Sequence, residues 1–342
     1  MKKLFRLGAL LGIAAITFSS CKKDDDFNFH LPINKQIEAY VTSNTAGKLA
    51  ILSMDDLYDL LTGKDATFEM KSLAPGSTDT EGVHYNKERN ELIIASRGNN
   101  RVEVYQKLVN GTLELKTTSE RNFTNARDVT MIGNMIIVAQ QGSAANNNMN
   151  MLYAYERTPS GVRLQKTYSV DFNLWGIHGE GMDLWAVVDN TSDIVMFKDF
   201  LTNPSGMVMP TKRVTVEGIV RTHGLVYSKH DDKMILTDVA AATSDSDGAI
   251  SVINNFTSVW SSVANGGTIG AGSQIRIAGP NTMLGNPVQV SYDMKKKHIY
   301  VAERANGGGR LLVFEMPTSN GDPKPAVSKN VPGASDVYVE VR

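Results

Sequence analysis

Six segments of the chain start with a residue whose side chain could take part in chemistry. Each such residue stands two positions before the first β-branched residue or leucine of a short apolar run. The six are a carboxylate, a guanidinium, an indole, an imidazole, an amide and a hydroxyl: Glu81, Arg127, Trp175, His223, Asn286 and Ser335. Because binding groups usually lie at strand ends and loops of a rigid scaffold, these unlike residues predict a ligand-binding site.

His223 and Asp238 form the candidate catalytic pair. The turn S-K-H-D-D-K pairs Tyr227 with Met234, and the same register places His223 opposite Asp238. A carboxylate there would orient the imidazole and raise its basicity, as a general base or a metal ligand requires. A purely structural pairing of the two side chains is the alternative.

The same counting predicts further oxygen groups beside the starting residues. Ser96, Asp189 and Glu303 are placed opposite or near Glu81, Trp175 and Asn286, respectively. A rim rich in carboxylate and carbonyl oxygens suits a hard cation, so Ca²⁺ is the cofactor considered.

These residues are carried by a repeated unit of three short strands. The unit is clearest in residues 81–105, 221–253 and 286–316, where β-branched and aromatic runs alternate with polar or Gly-rich turns. Repetition of such a unit predicts an all-β chain folded as a six-bladed β-propeller. The starting residues lie 46, 48, 48, 63 and 49 positions apart, and the long interval, with its polar residues 256–273, leaves seven blades as the alternative.

The first blade lacks an inner strand of its own. Residues 334–341, A-S-D-V-Y-V-E-V, match the inner-strand pattern of residues 125–132, so we expect the C-terminal strand to complete the first blade and close the ring. Insertions at residues 141–150, 239–248 and 304–309 should lie on the face that displays the starting residues. Short helices preceded by Asp or Asn are expected on the opposite face.

Two short stretches resemble known propeller families. Y-V-T-S-N-T-A-G-K-L-A-I-L resembles the repeat of YVTN and lactonase-like propellers, and E-G-V at Glu81 resembles an inner-strand start of gluconolactonase-like proteins. In those enzymes a Glu at such a start binds the metal with Asn and Asp partners. The resemblance therefore implies Glu81 and Asn286 as metal ligands of a hydrolase.

Arg127 and Trp175 depart from that pattern. A guanidinium opposes a cation, and an indole cannot ligate one. Arg127 beside Trp175 and Trp185 instead resembles a rim that binds an anion or a sugar, where the Arg forks onto a carboxylate and an aromatic face supports apolar contact.

The N-terminal residues predict export and lipidation. Residues 1–20 combine three basic residues with an apolar run, as in a signal peptide, and F-S-S-C resembles the bacterial lipoprotein signal in which Cys21 carries acyl chains, palmitate among them. Residues 21–36 are expected to be a linker and residues 37–342 the propeller. K-K-D-D-D after Cys21 resembles an export signal to the outer face of the outer membrane, with a periplasm-facing protein as the alternative.

Composition excludes some partners. With 35 basic and 36 acidic residues there is no positive field of the kind that nucleic-acid binding requires. The single cysteine excludes an internal disulfide.

The sequence therefore predicts a lipid-anchored extracytoplasmic propeller that binds a small molecule, a carbohydrate or a protein, or acts as a scaffold. A metal-dependent, lactonase-like hydrolase is the alternative.

Overall fold

A computed structural model describes residues 37–54 and 67–341. In this part of the chain, antiparallel strands form six small sheets, and each innermost strand contacts the innermost strands of the two neighbouring sheets. The sheets therefore stand in a closed ring as the blades of a six-bladed β-propeller, as predicted. No helix among the described residues is long and apolar enough to cross a membrane.

The first three blades have the following strands, given from the axis outward. Blade 1 contains β26 (Ala334–Val341), β1 (Ile37–Ser43), β2 (Lys48–Met54) and β3 (Thr67–Ser72). Blade 2 contains β4 (Thr80–Asn86), β5 (Glu91–Ser96), β6 (Arg101–Lys107) and β7 (Leu113–Thr118). Blade 3 contains β8 (Ala126–Ile132), β9 (Met135–Gln140), β10 (Asn150–Thr158), β11 (Gly161–Val170) and the short parallel strand β15 (Gly206–Met207).

The other three blades follow the same plan. Blade 4 contains β12 (Leu174–Glu180), β13 (Asp183–Val188), β14 (Asp193–Phe197), β16 (Lys212–Val216) and the short parallel strand β20 (Thr268–Ile269). Blade 5 contains β17 (Thr222–Ser228), β18 (Lys233–Asp238), β19 (Ala249–Asn254) and β21 (Ile275–Ala278). Blade 6 contains β22 (Pro287–Asp293), β23 (His298–Glu303), β24 (Arg310–Glu315) and β25 (Val327–Asn330).

The apolar core lies between the blades. Six clusters of buried side chains are present in the described residues, one between each pair of neighbouring blades. Between blades 4 and 5, for example, the rings of Trp185 and Trp260 meet edge to face with centroids 4.8 Å apart. Inner and middle strands are therefore apolar on both sides, because each of their faces packs against a neighbour.

The C-terminal strand closes the ring, as predicted. β26 pairs with β1 in antiparallel register from Ile37 opposite Val341 to Thr42 opposite Asp336. The first and last described strands thus share one sheet, which removes two exposed sheet edges that an open array would present.

The long interval between the starting residues His223 and Asn286 holds no seventh blade. It contains α1 (Phe256–Ser262), then β20 and a 3-10 helix over Ala271–Ser273. α1 packs Phe256 and Trp260 into the core between blades 4 and 5. The extra length therefore covers an existing blade interface.

The short helices are capped differently from the prediction. Asn255 and Asp199 precede α1 and the 3-10 helix Phe200–Thr202 in left-handed conformation, and neither side chain caps its helix. Asp232, from the turn before β18, instead accepts hydrogen bonds from the Thr257 backbone and hydroxyl at 2.8 and 2.6 Å. The third expected helix, at residues 55–63, lies outside the described residues.

Three polar side chains, Asp128, Gln289 and Asp336, meet on the axis and form what we call the axial hub. Gln289 Nε2 donates to Asp128 Oδ2 at 2.6 Å, and the carboxyl groups of Asp128 and Asp336 hydrogen-bond to each other. Backbone N–H groups of the other three blades also donate to the hub, from Val83 to Asp336 at 2.6 Å, from Ile177 to Asp128 at 2.7 Å and from Leu225 to Gln289 at 3.2 Å. The hub therefore links all six inner strands.

Glycines occupy the corresponding position in the three blades that contribute no hub side chain. Blades 2, 4 and 5 carry Gly82, Gly176 and Gly224 at the position of the hub side chains. A Cβ on Gly176 would lie 2.3 Å from the His223 carbonyl oxygen, and one on Gly82 would lie 2.6 Å from the Val129 nitrogen. Only glycine lets these strands approach closely enough for their N–H groups to reach the hub.

The two hub carboxyl groups share a proton. Burial raises the pKa of Asp128 to about 7, although two backbone N–H groups oppose the shift. Burial and the nearby Asp128 carboxylate raise the pKa of Asp336 well above its usual value. Asp336 therefore keeps its proton at neutral pH and donates it to Asp128, as expected for two buried carboxyl groups in contact.

Candidate functional site

Each inner strand carries a β-bulge at the end of the channel where it begins. In blade 2 the register runs from Thr80 opposite Ser96 to Gly82 opposite Ala95, so Glu81 is the extra residue. The same shift occurs near the start of the other five inner strands. Since a bulge redirects a side chain out of the ladder, these positions supply side chains to one end of the channel, which we call the mouth.

Five of the six predicted starting residues occupy these shifts, and one does not. Glu81, Arg127, Trp175, His223 and Ser335 lie in them, whereas the sixth shift falls at Val288. The counting rule stopped two residues early at Asn286, because Val288 is itself β-branched. Asn286 instead anchors a loop, with its amide donating to the Ala242 carbonyl at 3.0 Å.

Glu81 is surrounded by arginines. Its fully buried carboxylate lies 2.9 Å from Arg97 Nη2, 2.9 Å from Arg304 Nη2 and 3.8 Å from Arg127 Nη1. Arg97 also pairs with Asp79 at 2.7 Å. Both oxygens of Glu81 are therefore directed at guanidinium groups.

Arg127 is held in place by its neighbours but retains unused donors. Its guanidinium carbon lies 4.1 Å from the centroid of the Trp175 ring, and its Nε donates to Gln141 Oε1 at 3.0 Å. Among the described residues its terminal nitrogens make no hydrogen bond, and the closest carboxylate to them is that of Glu81, at 3.8 Å. Burial, together with the charges of Arg97 and Arg304, lowers the pKa of Arg127 to about 10, so it stays charged at neutral pH.

Trp175 supports other side chains and is not an open aromatic surface. The His223 ring stacks on it with centroids 3.8 Å apart and planes 5° apart, while Arg127 lies about as close. Two groups this near one ring must occupy opposite faces, so neither face remains for a ligand. Trp185, expected beside Arg127, lies instead in the core between blades 4 and 5.

Asp189 organises the opposite side of the mouth. Its oxygens accept from Arg221 at 2.8 and 3.2 Å, from His223 at 3.1 Å and from Gln141 at 2.5 Å. Burial favours the neutral carboxyl, yet hydrogen bonds from His223 and Arg221 and the charge of Arg221 hold the pKa of Asp189 well below its usual range. Gln141 bridges this cluster to Arg127.

The predicted His223–Asp238 pair does not form. The bulge shifts the register by one residue, so Asp238 stands opposite Thr222, and His223 pairs with Asp189 instead. Asp238 accepts backbone N–H groups of Val220, Arg221 and Ala240 and an ion pair from Arg276 at 2.6 Å. It therefore holds a loop together.

His223 is a poor general base in this setting. Burial lowers its pKa to about 4, although Asp189 opposes the shift. The neutral ring donates from Nε2 to Asp189, and the buried Nδ1 has no hydrogen-bond partner among the described residues. Base catalysis near neutral pH requires a higher proton affinity.

Ser335 and Glu303 also have structural roles. The Ser335 hydroxyl donates to the Thr80 carbonyl and lies 3.1 Å from the Thr42 hydroxyl. Glu303 lies near Asn286, as predicted, but its carboxylate accepts four backbone N–H groups of the surrounding loop.

The mouth does not fit a cation. Glu81 is paired with arginines, and Asn286, whose amide nitrogen is used in a loop contact, lies outside the bulge position of its blade. Within residues 37–54 and 67–341, no group of three or more His, Cys, Asp or Glu side chains could hold a metal ion. The carboxylate expected to ligate Ca²⁺ thus stands among positive charges, which oppose the binding of a cation.

Sequence reasoning named Asp189 but missed Arg97, Gln141 and Arg304, which occupy the same position in other blades. Arg97, Gln141, Asp189 and Arg304 each directly follow the second strand of a blade. Because the first and second strands are antiparallel, this position lies beside the bulge of the first strand. The residue after each second strand is therefore the signal that would have identified them.

Comparison with known proteins identifies relatives in fold only. No protein family and no curated protein matches the sequence. A putative 6-phosphogluconolactonase from Bacteroides fragilis superposes with a TM-score of 0.59 at 10% identity, over 90% of this chain and 99% of that one. The periplasmic gluconolactonase of Pseudomonas aeruginosa gives 0.57 at 10% identity, with the same coverage of both chains. A chain of a nidogen/laminin complex gives 0.60 at 10% identity, over 89% of this chain and 98% of that one.

Proposed function

We propose that the protein is a binding module whose mouth takes the anionic group of a ligand, a carboxylate or a phosphate, at Arg127. The observation that carries the proposal is the state of its guanidinium. Arg97, Arg221 and Arg304 each have a carboxylate within 2.9 Å, whereas the terminal nitrogens of Arg127 have none closer than 3.8 Å. A charged fork with unused donors matches a two-oxygen anion.

The charge balance of the mouth supports the same ligand class. Its connected network contains four guanidinium groups and three carboxylates, those of Asp79, Glu81 and Asp189. His223 is neutral, so one positive charge remains uncompensated. An anion would neutralise this charge at a partly buried position, where electrostatic attraction is stronger than in water.

Pre-organisation is a further argument for binding. Trp175 supports the Arg127 guanidinium from one side, and Gln141 fixes its Nε. Little side-chain entropy is then lost when a ligand binds, which favours affinity. In this proposal Trp175 positions Arg127, and the ligand does not stack on the indole.

The N-terminal residues support an anchored location for this module. Cys21 after F-S-S would carry acyl chains, and K-K-D-D-D would direct export to the outer membrane surface. We therefore propose a lipid-anchored binding protein outside the cytoplasm, with a periplasm-facing orientation as the alternative. Residues 1–36 lie outside the described residues.

A metal-dependent lactonase is the weaker candidate. Two structural neighbours carry gluconolactonase names, but at 10% identity they support the fold alone. Glu81, the metal-binding residue of that alternative, is paired with arginines, and His223, its general base, has a lowered pKa. Neither residue therefore suits metal-dependent hydrolysis.

A calorimetric titration tests the proposal. D-gluconate and inorganic phosphate would be titrated into the wild type, into Arg127→Ala and into a control, Arg163→Ala, whose side chain is 74% exposed. Loss of a charged hydrogen bond costs about 1.5–3 kcal/mol, so Arg127→Ala should weaken binding roughly ten- to hundredfold. The control should bind like the wild type, and chelators should have no effect. Equal affinities of Arg127→Ala and wild type for both anions would contradict the proposal.

A further inference from the structure

A cavity lies in the channel beyond the axial hub. It encloses about 170 Å³ and opens, away from the mouth, into a cavity of about 280 Å³. The two share His178, Val226, Ser291 and Tyr338 among their lining residues. We call the two together the lower chamber, and the hub separates it from the mouth.

The lower chamber is lined by one position of every inner strand, two residues after the hub residue or its glycine equivalent. Side chains at this position point to the same face of the strand as the hub residues. The six are His84, Thr130, His178, Val226, Ser291 and Tyr338.

Several polar groups of these residues have no protein partner among the described residues. Neither ring nitrogen of His84 makes a hydrogen bond, and its ring contacts that of Tyr338 with centroids 4.5 Å apart. His178 Nε2 donates to the Tyr227 carbonyl at 2.9 Å, which leaves Nδ1 as an acceptor. The Tyr338 hydroxyl is unpaired, and Ser291 accepts from the Val339 N–H at 3.1 Å, so its own proton is available.

The side chains at the six lining positions are all uncharged. Burial lowers the pKa of His84 to about 3 and that of His178 to about 4, so both imidazoles are uncharged. The hub oxygens that form its closed end already accept backbone and amide N–H groups. Glu180 and Lys229 line the outer opening and carry opposite charges.

This chemistry selects a class of ligand. The inner cavity offers an anion no cationic side chain, and it offers a cation only the hub carboxyl groups, which are already hydrogen-bonded. At the outer opening the opposite charges of Glu180 and Lys229 offset each other. Neutral donors and acceptors beside an aromatic ring suit hydroxyl groups on a compact carbon skeleton. The volume of the outer cavity is near the lower limit of ordinary ligand pockets, roughly 300 Å³, so the ligand must be small.

We propose that the lower chamber is a second binding site, for a small uncharged polyhydroxy compound of about the size of one sugar ring, recognised by His84, His178, Ser291 and Tyr338. The site is independent of the anion site at the mouth. The hub between them provides the reason that one ligand should not displace the other.

Imidazole NMR signals can distinguish the two sites. Wild-type protein labelled with ¹⁵N-histidine would be titrated with D-glucose, myo-inositol and, separately, D-gluconate. The neutral compounds should shift the His84 and His178 signals and leave His223 unchanged, because His223 lies at the mouth. No shift with either neutral compound, or a shift of His223 alone, would overturn the proposal.

Conservative variants test the assignment of the side chains. Tyr338→Phe keeps the ring and removes one hydroxyl, so it should lower the affinity for the neutral compound about two- to tenfold. The matched control is Tyr168→Phe, whose hydroxyl contacts the Asn203 carbonyl in blade 3 and is not part of the chamber. If both variants change the affinity equally, or if Tyr338→Phe leaves it unchanged, the proposed site in the lower chamber is refuted.

Discussion

Replacing Asp336 by asparagine should remove much of the pH dependence of folding stability that originates in the axial hub. Asp336 and Asp128 share a proton in the folded protein, and their pKa values are raised by burial. In the unfolded chain both carboxyl groups titrate near their ordinary values, at about 4. Between about pH 4 and neutrality the folded state therefore binds more protons than the unfolded state.

The sign and size of the effect follow from this difference. Stability rises with pH only where the unfolded state binds more protons, so the hub makes stability fall as pH rises. Each proton that the folded hub holds and the unfolded chain has lost contributes a slope of at most about 1.4 kcal/mol per pH unit. Between pH 5 and pH 7 each such proton should thus cost the wild type up to about 3 kcal/mol of stability.

Asp336→Asn keeps the shape and can donate to Asp128 through its amide. One of the two backbone N–H groups that Asp336 now accepts, from Val83 or Val337, loses its acceptor. The variant should therefore be less stable at pH 5 by about 1–3 kcal/mol. The deficit should shrink or reverse by pH 8, because the variant no longer needs the proton.

Urea unfolding at pH 5, 6, 7 and 8 measures this difference. Comparing the two proteins at each pH removes the contribution of other carboxylates, such as Glu91 and Glu103, whose lowered pKa values give the opposite slope. The full chain with Cys21→Ser in both backgrounds removes the proposed acylation site. A difference in unfolding free energy that stays constant from pH 5 to pH 8 would refute the shared proton.

Three further predictions concern the glycines, the ring closure and the anchor. Gly176→Ala places a Cβ 2.3 Å from the His223 carbonyl oxygen and should destabilise the fold by about 1–3 kcal/mol. The control Gly272→Ala, whose Cβ would have nothing within 4 Å, should leave stability unchanged. Equal urea midpoints of the two variants would contradict the close approach. Deleting Ala334–Arg342 removes β26 and should sharply lower the melting temperature, and an unchanged value would disprove its closing role. Cys21→Ser should move the protein from the membrane to the soluble fraction, and continued membrane association would exclude lipidation as the anchor.

The architecture was predictable because its signals are local and repeated. Alternating β-branched and aromatic residues mark each strand, and the match of residues 334–341 to the other inner strands indicated the closure. Blade count followed from spacing. The long interval was also interpretable, since only residues 274–278 in it resembled a strand, and the structure has β21 there.

Five of the six bulge positions at the mouth were predictable, but the partners of their side chains were not. A β-bulge adds one residue without changing the apolar pattern, so His223 was assigned to Asp238 instead of Asp189. Side-chain partners from different blades, such as Arg304 and Glu81, are 223 residues apart and leave no local pattern. The hub was likewise invisible, although glycines at 82, 176 and 224 in otherwise apolar strands are a usable signal.

A crystal structure of the protein with D-gluconate tests the central claim most directly. We expect carboxylate oxygens at about 2.7–2.9 Å from the terminal nitrogens of Arg127, with Trp175 still stacked between Arg127 and His223. The matching crystal of Arg127→Ala should lack the ligand at this position. Gluconate bound with no contact to Arg127, or a metal ion held by Glu81 in place of its arginines, would contradict the account.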